Sequence, residues 1–213
     1  MKQRVKNKRL KESSRVWMQR HLNDPFVAKA QKEGYRSRAA FKILEIQDKF
    51  KVFNKESIVV DLGAAPGGWS QVISKKCKQV IAIDLLDMEP LPNVDFIIGD
   101  FLKEESLKML DTIINSAKVD VVMSDMAPST CGIRKIDHLR IMALAEAVFE
   151  FAEKNLKQGG SMIIKVFQGG AEQQLLNKIK HSFQKVQHFK PKSSRKESPE
   201  TYLIAIGFIE KIS

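Results

Sequence analysis

Hydrophobic positions change their period repeatedly along the chain, and the changes divide it into helices and strands. In residues 15–22 and in SRAAFKILEIQDKF (37–50) apolar residues recur every three or four positions. The first stretch predicts a short amphipathic helix, the second a longer one capped by Ser37, with Ala40, Ile43, Leu44 and Phe50 turned inward. Between them Asp24 caps a helical segment through Ala28 and Ala30 that Gly34 ends. Short, unbroken apolar runs then occupy 58–60, 80–83 and 94–98, VDVVMSDMAPS, SMIIKVFQGG, 186–189 and TYLIAIGF. Such runs, rich in β-branched residues, predict strands buried on both faces. Helical patterns fill residues 69–76, 103–116, 137–156 (closed by Gly159 and Gly160) and 172–183. The alternation implies an α/β fold, a mostly parallel seven-stranded sheet with helices on both faces and the last strand inserted antiparallel. Residues 1–35 stand apart as a basic N-terminal arm with short helices, and 36–213 as the main domain.

Charge adds a partner to this picture. The formal net charge of +11 is carried by residues 1–55, with sixteen Lys or Arg against five Asp or Glu, while 56–213 hold twenty of each. A second zone, 178–196, has seven bases and no acid. The N-terminal bases are interleaved with Val16, Trp17, Tyr35 and Phe41, which favours RNA or another polyanion over a merely solvated tail. Hydrophobic residues make up 43% of 213, enough for one domain's core. No apolar run approaches the ~20 residues of a membrane-spanning helix. The N-terminus is too basic and polar for a secretion signal, so a soluble, cytoplasmic protein without membrane contact is expected. Cys77 and Cys131 are too few for a disulfide framework and read as packing residues. His21, His138, His181 and His188 are scattered, so no metal site is expected.

Candidate chemistry begins at ESIVVDLGAAPGGWSQ (56–71), a strand, a turn and a helix whose turn from Gly63 to Gly68 carries almost no side chain. A ligand can approach such a backbone closely. Acids end four successive runs: Asp61, Asp84, Asp100 and Asp125. In a doubly wound sheet these ends open onto one crevice. Asp84, about 20 residues past the glycine loop, is placed for ribose hydroxyls, and Asp100 with Phe101 for an adenine ring. Four carboxylates repel a pyrophosphate and suit a cofactor with ribose hydroxyls and positive charge, as S-adenosylmethionine has. A nicotinamide-dependent oxidoreductase would need G-x-G-x-x-G, which this loop does not form. Two lysines stand among apolar residues: Lys42, otherwise a snorkelling surface lysine, and Lys165, inside the fifth strand.

The segments SRAAFK (37–42), VDLGAAPGGWSQ (60–71), SDMAPS (124–129), KVFQG (165–169) and SSRKESPETY (193–202) resemble, in order, the RrmJ/FtsJ family of ribose 2'-O-methyltransferases. The similarity spans roughly residues 34–208. It implies a Rossmann-like class I methyltransferase, expected as a monomer, using S-adenosyl-L-methionine. It also implies a catalytic tetrad of Lys42, Asp125, Lys165 and Glu200, and cofactor contacts from Gly67, Trp69, Asp84, Asp100 and Asp125. Glu200 is preferred to Glu197 because it stands two residues before Tyr202 in the family's pattern. The compact length resembles the bacterial large-subunit rRNA enzymes rather than longer tRNA relatives, implying a uridine in the A loop of 23S rRNA as target. STCG (129–132) departs from the family's pattern after Pro128.

The tetrad suits the chemistry. A ribose hydroxyl is a weak nucleophile, so methyl transfer needs in-line placement and removal of its proton. Lys165 is the candidate base. Burial and Lys42 favour its neutral form, Asp125 and Glu200 its charged form; a charged Lys165 would orient the hydroxyl and stabilise developing alkoxide. Cytosine C5 transfer would need a cysteine directly after Pro128, where Ser129 and Thr130 stand instead. Exocyclic amine transfer would need an aromatic in the Asp125–Ser129 loop, which has none. A tRNA methyltransferase and a non-catalytic ribosome-assembly factor remain alternatives.

Overall fold

The computed structural model describes residues 12–115, 117–128, 132–167 and 173–210. Residues 1–11 of the basic arm, Cys131 and Ser129–Thr130 of the STCG segment, and Gln168–Gly169 of KVFQG lie outside the described residues. Three helices, α1 (Glu12–Leu22), α2 (Pro25–Glu33) and α3 (Ala39–Phe50), precede the alternating part. That part runs β1 (Ile58–Leu62), α4 (Gly68–Ile73), β2 (Gln79–Asp84), β3 (Val94–Ile98), α5 (Glu104–Ile114), β4 (Val119–Ser124) and α6 (Arg134–Asn155). It closes with β5 (Leu156–Phe167), α7 (Gln173–Ser182), β6 (Phe183–Phe189) and β7 (Glu200–Phe208).

The strands form one seven-stranded sheet in the order β3-β2-β1-β4-β5-β7-β6. The pairs among β1 to β5 are parallel, and β7 lies antiparallel between β5 and β6. The mostly parallel α/β sheet expected from the apolar runs is therefore present, in the Rossmann-like form that the family resemblance implies. Two cores sandwich the sheet: α3 and α4 bury Ile43, Ile46, Trp69 and Ile73 on one face, and α5, α6 and α7 bury Leu110, Phe149 and Ile179 on the other. Side chains alternate along a strand, and that alternation positions the site. On β5, Ile163 faces α3 and its neighbours Ile164 and Val166 face α6, so Lys165 is delivered to the α3 side. On β7 the same parity gives Tyr202 and Glu200 to that side.

Ahead of the sheet, Asp24 caps α2 by accepting from the Phe26 N–H at 3.0 Å, and Gly34 ends it in the left-handed conformation, as expected. Phe26 and Tyr35 both pack on Phe41 of α3, at 5.6 and 5.4 Å between ring centroids. Ser37 accepts from the Ala39 N–H at the start of α3. Two expectations change. The inward face of α3 includes Ile46, while Leu44 and Phe50 are only half-buried. Gly159 and Gly160 do not close α6, because the chain turns from α6 directly into β5 at Leu156. The two glycines sit where the β4–β5 register jumps from Val119↔Leu156 to Val121↔Ser161, an irregularity only a short residue can take where a Cβ on Gly160 would stand 2.9 Å from the Lys157 carbonyl.

Candidate active site

Asp61, expected to open into the crevice, lies within β1 rather than past its end. It points with Val59 toward α4, is 1% exposed and accepts from Ser70 Oγ at 2.6 Å. Burial pushes its carboxyl up to about 7, against the lowering effect of the Ser70 hydrogen bond, with Asp125 and Asp84 adding repulsion. A raised carboxyl contributes stability at acid pH that is lost as pH rises through the folded value. Asp61→Asn is therefore expected to flatten this slope. Between pH 5 and 8 the parent should lose roughly 2 to 3 kcal/mol more than the variant in denaturant titrations; identical slopes would place the ionised form elsewhere.

The other three strand-end acids do line one cavity of about 640 Å³, together with Gly63, Ala65, Leu85, Phe101, Leu102, Met126 and Arg140. Asp84 accepts from the Ala65 N–H at 2.9 Å and the Leu86 N–H at 2.8 Å, which fixes it against the glycine loop. Asp100 accepts from the Leu102 N–H at 3.0 Å. Gly63 forms the floor with φ of +79°; a Cβ there would fall 2.1 Å from Met126 Cγ. Phe101 packs its ring against Phe151 at 5.6 Å, so the apolar groups standing clear at that end are Leu85 and Leu102. Gly67 and Trp69 lie off this cavity. Gly67 begins α4 at φ +94°, and the Trp69 indole is buried, donating to the Ala39 carbonyl at 2.9 Å. The Gly67 N–H already donates to the Ala64 carbonyl at 2.7 Å, so the backbone donor that these two offer a ligand is the Trp69 N–H in the first turn of the helix.

The volume and donor set fit S-adenosylmethionine. Asp84 and Asp100 offer acceptors for ribose hydroxyls and an adenine amine, the apolar rim offers surface for a ring, and the carboxylates suit a sulfonium.

Lys42, Asp125, Lys165 and Glu200 meet beside Asp125's end of the cavity, although they come from α3, the β4 end, β5 and β7. Lys42 Nζ lies 2.8 Å from Glu200 Oε1 and 3.6 Å from Asp125 Oδ2. Lys165 Nζ lies 3.1 Å from Asp125 Oδ1 and also donates to the Asp125 carbonyl. Both lysines are 8% exposed, so Lys42 is not a snorkelling surface residue. Burial raises the Asp125 carboxyl, but Lys165, Lys42 and the Tyr202 hydroxyl together outweigh it and hold the carboxyl below its usual range. Glu200 is half-buried while Glu197 is exposed.

Sequence reasoning used Tyr202 only as a landmark. Its hydroxyl donates to Asp125 Oδ1 at 2.6 Å, and its ring lies beneath Lys42 Nζ at 5.5 Å and beside Trp69 at 5.6 Å. Burial, followed by the charges of Asp125 and Glu200, drives its hydroxyl well above the usual range, so it stays a donor. Tyr202 pairs with Lys165 across β5 and β7, a register that the sequence alone does not show.

Residues 35–208 match the family model described as FtsJ-like methyltransferase. The chain is 52% identical over 213 residues to a ribosomal RNA large subunit methyltransferase E of Rickettsia felis, covering 96% of this chain and 93% of that protein. The protein of the same name from Acidiphilium cryptum is 50% identical over 199 residues, covering 93% of this chain and 88% of its own. Among solved structures, a putative ribosomal RNA methyltransferase from Plasmodium falciparum superposes with a TM-score of 0.74 at 34% identity, covering 83% of this chain and 100% of that one.

Proposed function

Because the chain belongs to the FtsJ-like methyltransferase family, we propose that it catalyses S-adenosylmethionine-dependent 2'-O-methylation of a ribose in large-subunit ribosomal RNA. The observation that carries this reading is the pairing of two buried lysines with two carboxylates at one end of the acid-lined cavity. A base or amine acceptor would not call for two lysines; a hydroxyl acceptor does. The names of its relatives support ribosomal RNA as substrate, and the family resemblance narrows the target to a uridine in the A loop.

S-adenosylmethionine supplies, when bound, a methyl group made electrophilic by its sulfonium. Asp84, Asp100 and Asp125, with the backbone of the glycine loop through Gly67 and Trp69, are the groups that would hold it. Lys165 is assigned to the acceptor hydroxyl. With a free lone pair it takes the 2'-OH proton; as an ammonium it orients the oxygen and stabilises negative charge developing on it. Asp125 fixes Lys165 through Oδ1, and Tyr202 fixes Asp125 through the same oxygen. Lys42 holds Glu200, and together they close the acceptor side with balanced charge.

The test incubates the protein with methyl-labelled S-adenosylmethionine and large subunits, small subunits, free rRNA or tRNA, then digests the RNA to nucleosides. Label is expected in 2'-O-methyluridine from the large subunit. Label in a base would overturn the reaction, label in tRNA the substrate, and no label in any RNA would favour an assembly factor.

A further inference from the structure

A knot of charge ties the loop that leads into β7, and so to Glu200, to the turn between the two helices before α3. Asp24, in the turn between α1 and α2, is 8% exposed, and its two carboxylate oxygens have different partners. Oδ1 accepts from the Phe26 N–H at 3.0 Å and caps α2. Oδ2 accepts from Arg38 and, at 3.1 Å, from Arg195 Nε. Arg38 also donates to the Ser193 carbonyl. The next residue, Ser194, donates from Oγ at 2.9 Å to Glu200 Oε1, the same oxygen that Lys42 Nζ approaches at 2.8 Å. From α3, Glu45 accepts from the N–H groups of Lys192 at 2.6 Å and Ser193 at 2.8 Å.

We propose that Asp24 is a positioning residue for methyl transfer: by neutralising Arg38 and Arg195 together it fixes residues 193–195, and through Ser194 it holds Glu200 against Lys42. The proposal rests on the tetrad being the active centre. Arg38 and Arg195 are close enough to repel each other, and burial already disfavours the Arg38 charge. Without an anion between them the guanidiniums separate, the Ser193 carbonyl loses its donor and Ser194 withdraws from Glu200. Asp24, Arg38 and Arg195 do not line the cofactor cavity. Their effect therefore falls on the acceptor side and spares cofactor affinity.

Asp24→Asn separates the two duties, because asparagine can still cap α2 but presents an amide where Oδ2 faced two cations. We expect kcat to fall roughly 10- to 100-fold, as a displaced catalytic group does. KM for RNA and the Kd of S-adenosylmethionine should stay within about twofold, and hydrogen exchange at the Ser193 and Ser194 amides should quicken. Ser194→Ala, which leaves the charges intact, should lower kcat in the same way, and the double variant should be no slower than the slower single one, as for residues acting in one chain. Turnover in Asp24→Asn within twofold of the parent, a parallel loss of cofactor affinity, or single losses that multiply in the double variant would overturn the proposal. Should Asp24→Asn fail to fold, an unchanged kcat in Ser194→Ala overturns it alone. Absence of ribose label with the parent would instead overturn the functional reading, and the exchange rates would still decide whether Asp24 holds the loop.

Discussion

Lys165→Ala lowers turnover about 10³-fold, within the range for loss of a proton-transferring group, while S-adenosylmethionine affinity stays within about threefold of the parent. The separation follows from geometry. Lys165 comes from β5 and touches Asp125, but it is not among the residues lining the donor cavity. Its removal takes away the group assigned to the acceptor hydroxyl and leaves Asp84 and Asp100 in place. Single-turnover methyl transfer on large subunits, with cofactor binding by calorimetry, measures both quantities. Near-parental turnover would remove Lys165 from the mechanism. Equal losses in turnover and cofactor affinity would move it to the donor side.

Asp125→Asn has a second large effect, on both activity and stability. Asp125 is the anion shared by Lys42, Lys165 and the Tyr202 hydroxyl, with its side chain 19% exposed. Removing one partner from a buried ionic cluster typically costs about 3 to 5 kcal/mol, because the remaining charges stay desolvated. Asparagine keeps the shape and one acceptor, so lost stability here reports on charge. Its sign with pH is fixed. The carboxyl is held below its usual range, so its contribution is complete above the unfolded value of ~3.9 and disappears as pH falls through the lower folded value. Denaturant titrations should therefore show the parent–variant gap wide at pH 7 and narrowing on acidification. A constant gap would mean that the loss comes from packing.

The sheet was legible because its signal is local: short β-branched runs ending in turn residues cannot hide their strands, and parity along SMIIKVF already separates Lys165 from its apolar neighbours. Lys42 and Lys165 stood out as lysines in apolar surroundings. Asp61 was misread because an acid after an apolar run does not by itself end the strand; Leu62 continues β1, and Ser70 of α4 gives the acid an internal partner. Phe101, expected beside an adenine ring, does line the cavity, but its edge-to-face packing with Phe151, fifty positions later, was not legible. The Asp24 knot escaped altogether. Asp24 fits its local duty as a helix cap, and nothing near it in sequence announces Arg195.

The antiparallel insertion of β7 has a consequence for the timing of synthesis. Because β7 runs against β5, its first residue, Glu200, lies beside Phe167 at the end of β5, whereas a parallel last strand would deliver its final residue there. The donor cavity is built from residues 63–144, but the acceptor side waits for residue 200 and for the strand that follows it. During synthesis, the residues that line the cavity are therefore all made before the one that completes the cluster of Lys42, Asp125 and Lys165. A chain that stops short of residue 200 holds every residue that lines the cavity but lacks the carboxylate that pairs with Lys42.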